Sequence, residues 1–312
     1  MLRIVNIAPA APDIPRDGWG RPLVIPKQGG KPVPLTRTTT FIDCIEDKAA
    51  LSDWRSRMTL LGAAARPALL DAARQLDPAA PADKRRLNAL AQQAQDIAGA
   101  SVKRERGTHL HTLSERVDRG EPLPLDTPDS DLSDMAAYLT KTSVFEVKAV
   151  EKFVVVPELG TAGTLDRALA YAGPGPHGEH IEGLFIGDIK TGSVEYGKLK
   201  MAMQLAVYSR GEVYDHTLWP VDPADPKAFA TWKRRIVPPQ EAARAYSALP
   251  KVSQQWGVII HLPAGSGHCT LHWVDLQVGW AAARLALEVR TTRSRKDAML
   301  PWVTGVTAPA AA

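Results

Sequence analysis

Cysteine is scarce in this chain of 312 residues: Cys44 and Cys269 are the only two, and they lie in unrelated contexts. Two cysteines cannot form a disulfide framework or a CxxC…CxxC zinc site, and they cannot hold a four-cysteine iron–sulfur cluster within one chain. No uncharged apolar stretch approaches the roughly 20 residues of a membrane-spanning helix. The first apolar run is too short, and too interrupted by Asn6 and several prolines, for a signal peptide. These absences predict a cytoplasmic protein with no membrane partner.

Neither sign of charge dominates the composition. The 38 Lys and Arg residues exceed the 34 Asp and Glu residues by a net charge of +4. So weak an excess permits a polyanionic partner but does not demand one. Basic residues do gather in short runs, at 84–86, 103–106, 233–235 and 290–296. Most runs of this kind are solvated faces, so no single run identifies a nucleic-acid site.

The pattern along the chain divides it in two. Residues 1–35 are rich in proline and glycine and are predicted to form an extended, weakly ordered arm. Alanine and leucine at helical spacing then predict helices, with a break near Pro67. Further on, the order is helix, three strands, helix, strand pair, helix. We therefore predict an N-terminal arm and helical region at 1–98 and an α/β core with a C-terminal helix at 99–312.

Two aspartates flank a Gly/Pro-rich connection between predicted strands. The simplest pairing of these strands is an antiparallel hairpin. The midpoint between Asp166 and Asp188 falls at His177, inside the connection, so a symmetric hairpin sets the two carboxylates opposite each other. Because side chains alternate along a strand, Asp188 and Lys190 share a face. A bulge in the connection would shift this register and turn one aspartate away.

Opposed carboxylates repel each other, so something must offset their charge. Lys190 supplies one positive charge. A divalent metal supplies two, and hard oxygen ligands suit Mg²⁺ or Mn²⁺. The alternative is that Asp166 lies in water at a strand edge and pairs with Arg167 or Lys190. The hairpin alone leaves both interpretations open.

Four motifs follow one another in the order helix, strand, strand, helix. The motifs are GTHLH with Gly107 and His111, GTLD with Gly163 and Asp166, DIK with Asp188 and Lys190, and QLAVY with Gln204 and Tyr208. Together they resemble the PD-(D/E)xK nuclease superfamily, most closely its RecB-like exonuclease branch, which includes CRISPR-associated nucleases and phage-encoded relatives. The resemblance covers about residues 100–275, and the absence of cluster cysteines favours the phage-type relatives. The connection between the two strands that carry Asp166 and Asp188 is longer than a tight hairpin.

The resemblance implies a restriction-endonuclease-like core: a helix, a three-stranded mixed sheet, a helix and further strands, behind the helical N-terminal region. It implies a Mg²⁺- or Mn²⁺-dependent deoxyribonuclease without an iron–sulfur cluster. Such an enzyme would act as an exonuclease at DNA ends, in phage or bacterial recombination, repair or processing. DNA is the implied partner. A recombinase or helicase partner is compatible with this class, and the oligomeric state stays open.

The same resemblance gives each motif residue a role. Asp166 and Asp188 would hold the metal, with the His111 imidazole and the Ile189 carbonyl as further ligands. Lys190 would stabilise developing charge or orient the attacking water, a task that suits a flexible ammonium group. Taken alone, a histidine at position 111 is more often a surface or core residue than a ligand, and the neighbouring motifs reverse that preference.

Helix geometry adds supporting residues. Gln204 and Tyr208 are four apart and share a helix face, where they would contact the DNA backbone or support the site. A core-edge tyrosine is the equal alternative. Gly107 lies one turn before His111 and lets the helix, or DNA, approach closely. His109 lies about 200° around the helix from His111 and is not expected to share its site.

Other candidates rest on less. Glu151 is favoured over Glu158 as an extra acidic group, although a structural role is expected for both. Lys198 and Lys200 open the helix after DIKTG, where they would meet phosphates or form a solvated face. Four tryptophans in apolar patterns are expected to pack in the core: Trp54, Trp256, Trp273 and Trp280.

Two rival functions are compatible with the same motifs. One is a catalytically silent nucleic-acid-binding or assembly module that keeps the fold but does not cut. The other is a structure-specific or site-specific endonuclease. The presence of every acidic motif residue counts against the silent module.

Overall fold

The computed structural model describes residues 13–299, which form a mixed α/β structure. The α-helices in this range are α1 Thr38–Ile42, α2 Ala49–Ala65, α3 Ala68–Arg74, α4 Pro81–Ile97, α5 Val102–Asp118, α6 Asp129–Thr142, α7 Lys198–Tyr208, α8 Pro226–Arg234, α9 Pro239–Ala243 and α10 Leu276–Arg293. The strands are β1 Leu23–Val24, β2 Val33–Pro34, β3 Thr36–Arg37, β4 Glu146–Val156, β5 Thr161–Pro174, β6 His180–Lys190, β7 Glu212–Tyr214, β8 Tyr246–Ala248, β9 Trp256–His261 and β10 Thr270–Asp275.

One mixed sheet organises the molecule. Its strands lie in the order β10-β9-β6-β5-β4-β7-β8, and β3 pairs with the start of β5. The contacts of β6 with β9 and of β3 with β5 are parallel, whereas the other pairs are antiparallel. The long strands β4, β5 and β6 form a central meander. The end of β4, at 153–156, is buried at four consecutive residues, as expected for a strand covered on both faces.

Helices cover both faces of this sheet. Alternate residues of β6 reach different apolar clusters, with Phe185 and Ile189 in one and Ile186 in the other. The first cluster is built with α5 and α6, which contribute Leu110 and Tyr138 among others. The second is built mainly with α7 and the start of α10. The GTHLH motif on α5 and the QLAVY motif on α7 therefore lie on helices that pack against opposite sides of the β5–β6 hairpin.

The N-terminal segment (residues 13–37) is more ordered than its composition predicts. Ile14 and residues 23–25 are buried in a core cluster with Trp232. The Ile25 amide donates a hydrogen bond to the Tyr214 hydroxyl at 3.0 Å. The prediction of a weakly ordered arm was wrong for this segment, because its apolar side chains find a core to enter. Residues 1–12 lie outside the described range.

The helices of the N-terminal region form a hairpin beside the sheet. The predicted break at Pro67 is confirmed, since it separates α2 from α3. α2 and α4 approach closely at Gly62, where an added Cβ would lie 1.7 Å from the Ala94 carbonyl oxygen. The core position expected for Trp54 was wrong, because this side chain on α2 is 38% exposed. The other three tryptophans expected in the core, Trp256, Trp273 and Trp280, pack against apolar clusters.

Among residues 13–299, no helix combines the length and the apolar character needed to cross a bilayer.

Candidate active site

The register of the β5–β6 hairpin sets the two aspartates against each other. Arg167 pairs with Gly187, so the next position along the ladder brings Asp166 opposite Asp188. The pairing continues without a shift to Pro174, the last residue of β5, and His180, the first residue of β6. Only residues 175–179 therefore form the turn. The Ile189 amide donates a hydrogen bond to Asp166 Oδ2 at 3.2 Å. The symmetric hairpin is therefore confirmed, and much of the Gly/Pro-rich connection is strand.

α5 brings His111 to this point. Its Nδ1 atom lies 3.4 Å from Asp166 Oδ2. Gly107 permits the approach, because an added Cβ would lie 2.7 Å from the Thr191 hydroxyl. His109 instead contacts Asp131 at 2.8 Å, as its position around the helix predicts.

α7 closes the site from the other side. The Gln204 side chain bridges two catalytic candidates: its Nε2 donates to Asp188 Oδ1 at 2.9 Å, and its Oε1 accepts from Lys190 Nζ at 3.3 Å. Tyr208 lies one turn further along the helix. An added Cβ at Gly163 would lie 2.6 Å from its hydroxyl oxygen. The Tyr208 hydroxyl thus occupies the space that a side chain at position 163 would need.

Asp188 is the most deeply placed acid of the site. Burial, followed by the nearby Asp166 carboxylate, raises its pKa to about 6. Lys190 Nζ lies 2.6 Å from Asp188 Oδ2, which favours the ionised form. This buried oxygen nevertheless accepts no hydrogen bond, because the ammonium group is close to it but out of line. The protein alone therefore leaves one carboxylate oxygen incompletely satisfied.

Glu151 adds a third carboxylate from β4. Val150 pairs with Arg167, so the next position sets Glu151 opposite Asp166. Its backbone has a φ of +50°, in the left-handed region that few residues other than glycine adopt. Burial and the Asp166 charge raise its pKa to about 8. Glu158 is exposed on the turn after β4.

Two neighbours were not recognised from the sequence. Glu115 lies one turn after His111 on α5, and burial raises its pKa, with Asp166 adding to the effect. The i, i+4 spacing from His111 was the signal that could have found it. The second neighbour is Arg167, which no spacing rule distinguishes from an outward-facing strand residue.

Arg167 is fully buried beneath the acids. Its Nε donates to Asp118 Oδ2 at 2.7 Å and its Nη2 to Ser114 Oγ at 2.8 Å. The Tyr138 hydroxyl accepts from the same Nε at 3.2 Å. Asp166 lies further away, with 3.9 Å between Oδ2 and Nη1. The principal partner of Arg167 is thus Asp118.

The two lysines expected near phosphates have partners within the protein. Lys200 pairs with Asp43 and lies 3.2 Å from a Glu46 carboxylate oxygen. Lys198 is exposed and lies 3.6 Å from Glu195. Lys200 therefore ties α7 to the segment after α1, and Lys198 retains the freer charge.

Comparison of the chain with models of known protein families gives no match, and comparison with curated proteins gives none either. The chemistry of the site therefore rests on its own geometry.

The donor set fits a hard divalent cation. Asp166 and Asp188 offer carboxylate oxygens, one of them buried without a hydrogen bond, and His111 offers a ring nitrogen. Across residues 13–299, no three His, Cys, Asp or Glu side chains already surround a common point as metal ligands. The chain places a lysine and a buried arginine beside the acids instead.

The raised pKa of Glu151 predicts a pH-dependent stability for the protein in EDTA. The folded form holds this proton up to a pH of about 8, whereas the unfolded chain releases it near the ordinary value of 4.5. The stabilising contribution is therefore complete below about pH 4.5 and is lost as the pH rises through about 8. Urea unfolding should give a free energy that falls over this range and falls less in Glu151→Gln. Glu158→Gln is the control. An equal fall in the free energy of unfolding for the wild type, Glu151→Gln and Glu158→Gln would show that Glu151 does not have a raised pKa.

The contact between Gly163 and Tyr208 predicts a second stability effect. Gly163→Ala forces the tyrosine ring away from β5, and we expect a loss of about 1–3 kcal/mol in the free energy of unfolding. Gly192→Ala is the matched control, because an added Cβ there meets nothing within 4 Å. Thermal and urea unfolding would measure both, and equal stability of the two variants would show that Tyr208 does not need this space.

Proposed function

We propose that the protein is a metal-dependent DNA exonuclease with a restriction-endonuclease-like core. The observation that carries the proposal is the convergence of His111, Asp166, Asp188 and Lys190 at one end of the β5–β6 hairpin. Four residues from three separate motifs meet there, in the order that the RecB-like branch uses. The α/β sheet with helices on both faces is compatible with this assignment.

Asp166, Asp188 and His111 are the residues that would hold Mg²⁺ or Mn²⁺, with the Ile189 carbonyl nearby. When bound, such an ion supplies neutralisation of phosphate charge and a water of lowered pKa. The chain contributes the geometry. The register of the hairpin fixes the two carboxylates, and the hydrogen bond from the Ile189 amide orients the Asp166 side chain.

Lys190 supplies the mobile positive charge. Its ammonium group reaches both Asp188 and Gln204, so small rotations of the side chain would let it follow charge that develops on a phosphate oxygen. Gln204 limits that movement, because its amide also holds Asp188 in place. A phosphodiester placed beside these groups would meet two acids and a cation, the combination that hydrolysis requires.

Substitution of the central acid and of the lysine tests the proposal. Asp188→Ala and Lys190→Ala should each lower Mg²⁺- or Mn²⁺-dependent cleavage of linear DNA by at least about 100-fold, because each removes a group that acts on the transferring phosphate. Asp71→Asn on α3 and Lys148→Ala on β4 are matched controls, since both residues form exposed ion pairs away from the site.

Release of labelled nucleotides from linear DNA is the measurement. Retention of wild-type cleavage by both site variants would refute the site assignment. Covalently closed circular DNA distinguishes the endonuclease alternative, because an exonuclease leaves it intact. DNA binding without turnover in either metal would support the silent module instead.

A further inference from the structure

A rigid turn in the N-terminal segment presents a tryptophan to solvent. Asp17 organises this turn, since its Oδ1 accepts hydrogen bonds from the Trp19 and Arg21 amides at 3.0 and 2.9 Å. Gly20 adopts a φ of +73°, which closes the turn. Trp19 at its tip is 84% exposed. These local bonds fix the backbone of the turn, and the exposed indole at its tip offers a flat apolar face.

Arginines from separate parts of the chain surround this indole. A cavity of about 480 Å³ is lined by Trp19 together with Arg21, Arg37 and Arg290. Arg290 comes from α10 and is held in place by the Phe41 ring, whose centroid lies 5.6 Å from its guanidinium carbon. Because Arg21 and Arg37 come from the N-terminal segment and Arg290 from α10, the folded chain, and not a run of basic residues, creates this surface.

Much of this positive charge is not neutralised by the protein. Arg21 forms an ion pair with Asp17 at 2.7 Å. Within residues 13–299, neither Arg37 nor Arg290 forms an ion pair with a carboxylate, and the same holds for Arg16 nearby. Guanidinium groups without carboxylate partners suit phosphates, which they bind in bidentate fashion. Arg16 and Arg37 are exposed, and Arg290 is half-buried.

This surface leads to the catalytic candidates. A second, narrower cavity of about 130 Å³ is lined by Arg16, Arg37, Gly163 and Tyr208, so Arg37 belongs to both cavities. Tyr208 also adjoins the acids, whose charges help to raise its pKa, after burial, to well above the ordinary value. The arginines and the indole therefore line two cavities that share Arg37, and the narrower one reaches Gly163 and Tyr208.

We propose that the N-terminal segment is a single-strand DNA clamp, in which Trp19 stacks on a base and Arg16, Arg37 and Arg290 contact the phosphates of that strand. A free indole face recognises unstacked bases, which only a single strand offers, and the arginines supply the sequence-independent attraction. The inference rests on the proposed nuclease function, because it assigns the route by which a DNA strand reaches the acids.

Binding without cleavage tests the clamp. Fluorescence anisotropy in EDTA would follow a fluorescein-labelled single strand of about 15 nucleotides. Trp19→Ala should weaken binding at least about fivefold, since a base loses its stacking partner. Arg37→Ala should weaken binding about three- to tenfold for any sequence and reduce the salt dependence by roughly one phosphate contact, whereas Arg37→Lys should retain that salt dependence.

Exposed residues of the helical hairpin give matched controls. Trp54→Ala on α2 and Arg74→Ala on α3 remove the same chemical groups elsewhere and should bind the strand as the wild type does. Equal binding by the Trp19 and Arg37 variants and the wild type overturns the clamp, as does a wild type that binds no single strand. A preference for a polyglutamate peptide over DNA would also overturn it, by assigning the surface to an acidic protein.

The clamp and the nuclease can fail separately. Metal-dependent cleavage that disappears in Asp188→Ala, combined with unchanged strand binding in the Trp19 and Arg37 variants, would overturn the clamp alone. Strand binding that depends on Trp19 and Arg37, in a protein that cleaves no DNA with either metal, would overturn the nuclease alone.

Discussion

A positive charge buried beneath the carboxylates connects the parts of the site. The guanidinium of Arg167 binds Asp118 and Ser114 on α5 and the Tyr138 hydroxyl from α6, and it projects from the residue beside Asp166. Its charge opposes the rise in the pKa of Glu115 and of Glu151 that burial causes. Without this internal cation, the buried Asp118 carboxylate would lose its ion pair, and α5 would lose a polar attachment to β5.

Two motif glycines set the distances around that centre. Gly107 lets α5 approach the chain just after Lys190, and Gly163 makes room for the Tyr208 ring on α7. Each glycine thus makes room for a residue distant in sequence, Thr191 for Gly107 and Tyr208 for Gly163. The two motif helices, α5 and α7, therefore pack on opposite faces of the β5–β6 hairpin, and the motif glycines set how closely they approach it.

Local rules could predict the acidic hairpin, because alternation and the midpoint at His177 need only the two strands. Helical spacing likewise separated His111 from His109. These rules could not predict the order of the N-terminal segment, because its burial depends on residues about 200 positions later in the chain. The hydrogen bond between Ile25 and Tyr214 is an example. Nor could these rules predict the burial of Arg167, since a buried arginine requires partners that tertiary structure alone supplies. The short elements β7, β8 and α9 contain too few residues to show a period.

The pairing of β3 with β5 has a consequence for the order in which the chain folds during translation. The first described residues leave the exit tunnel early, yet their partners lie at Thr161 in β5, Tyr246 in β8 and Arg290 in α10. Contacts of such long sequence separation form late, after the intervening chain has been synthesised. The segment that carries Trp19 is therefore translated before its partners, and we expect it to dock after they have folded, so that the surface around Trp19 is complete only once the core is assembled.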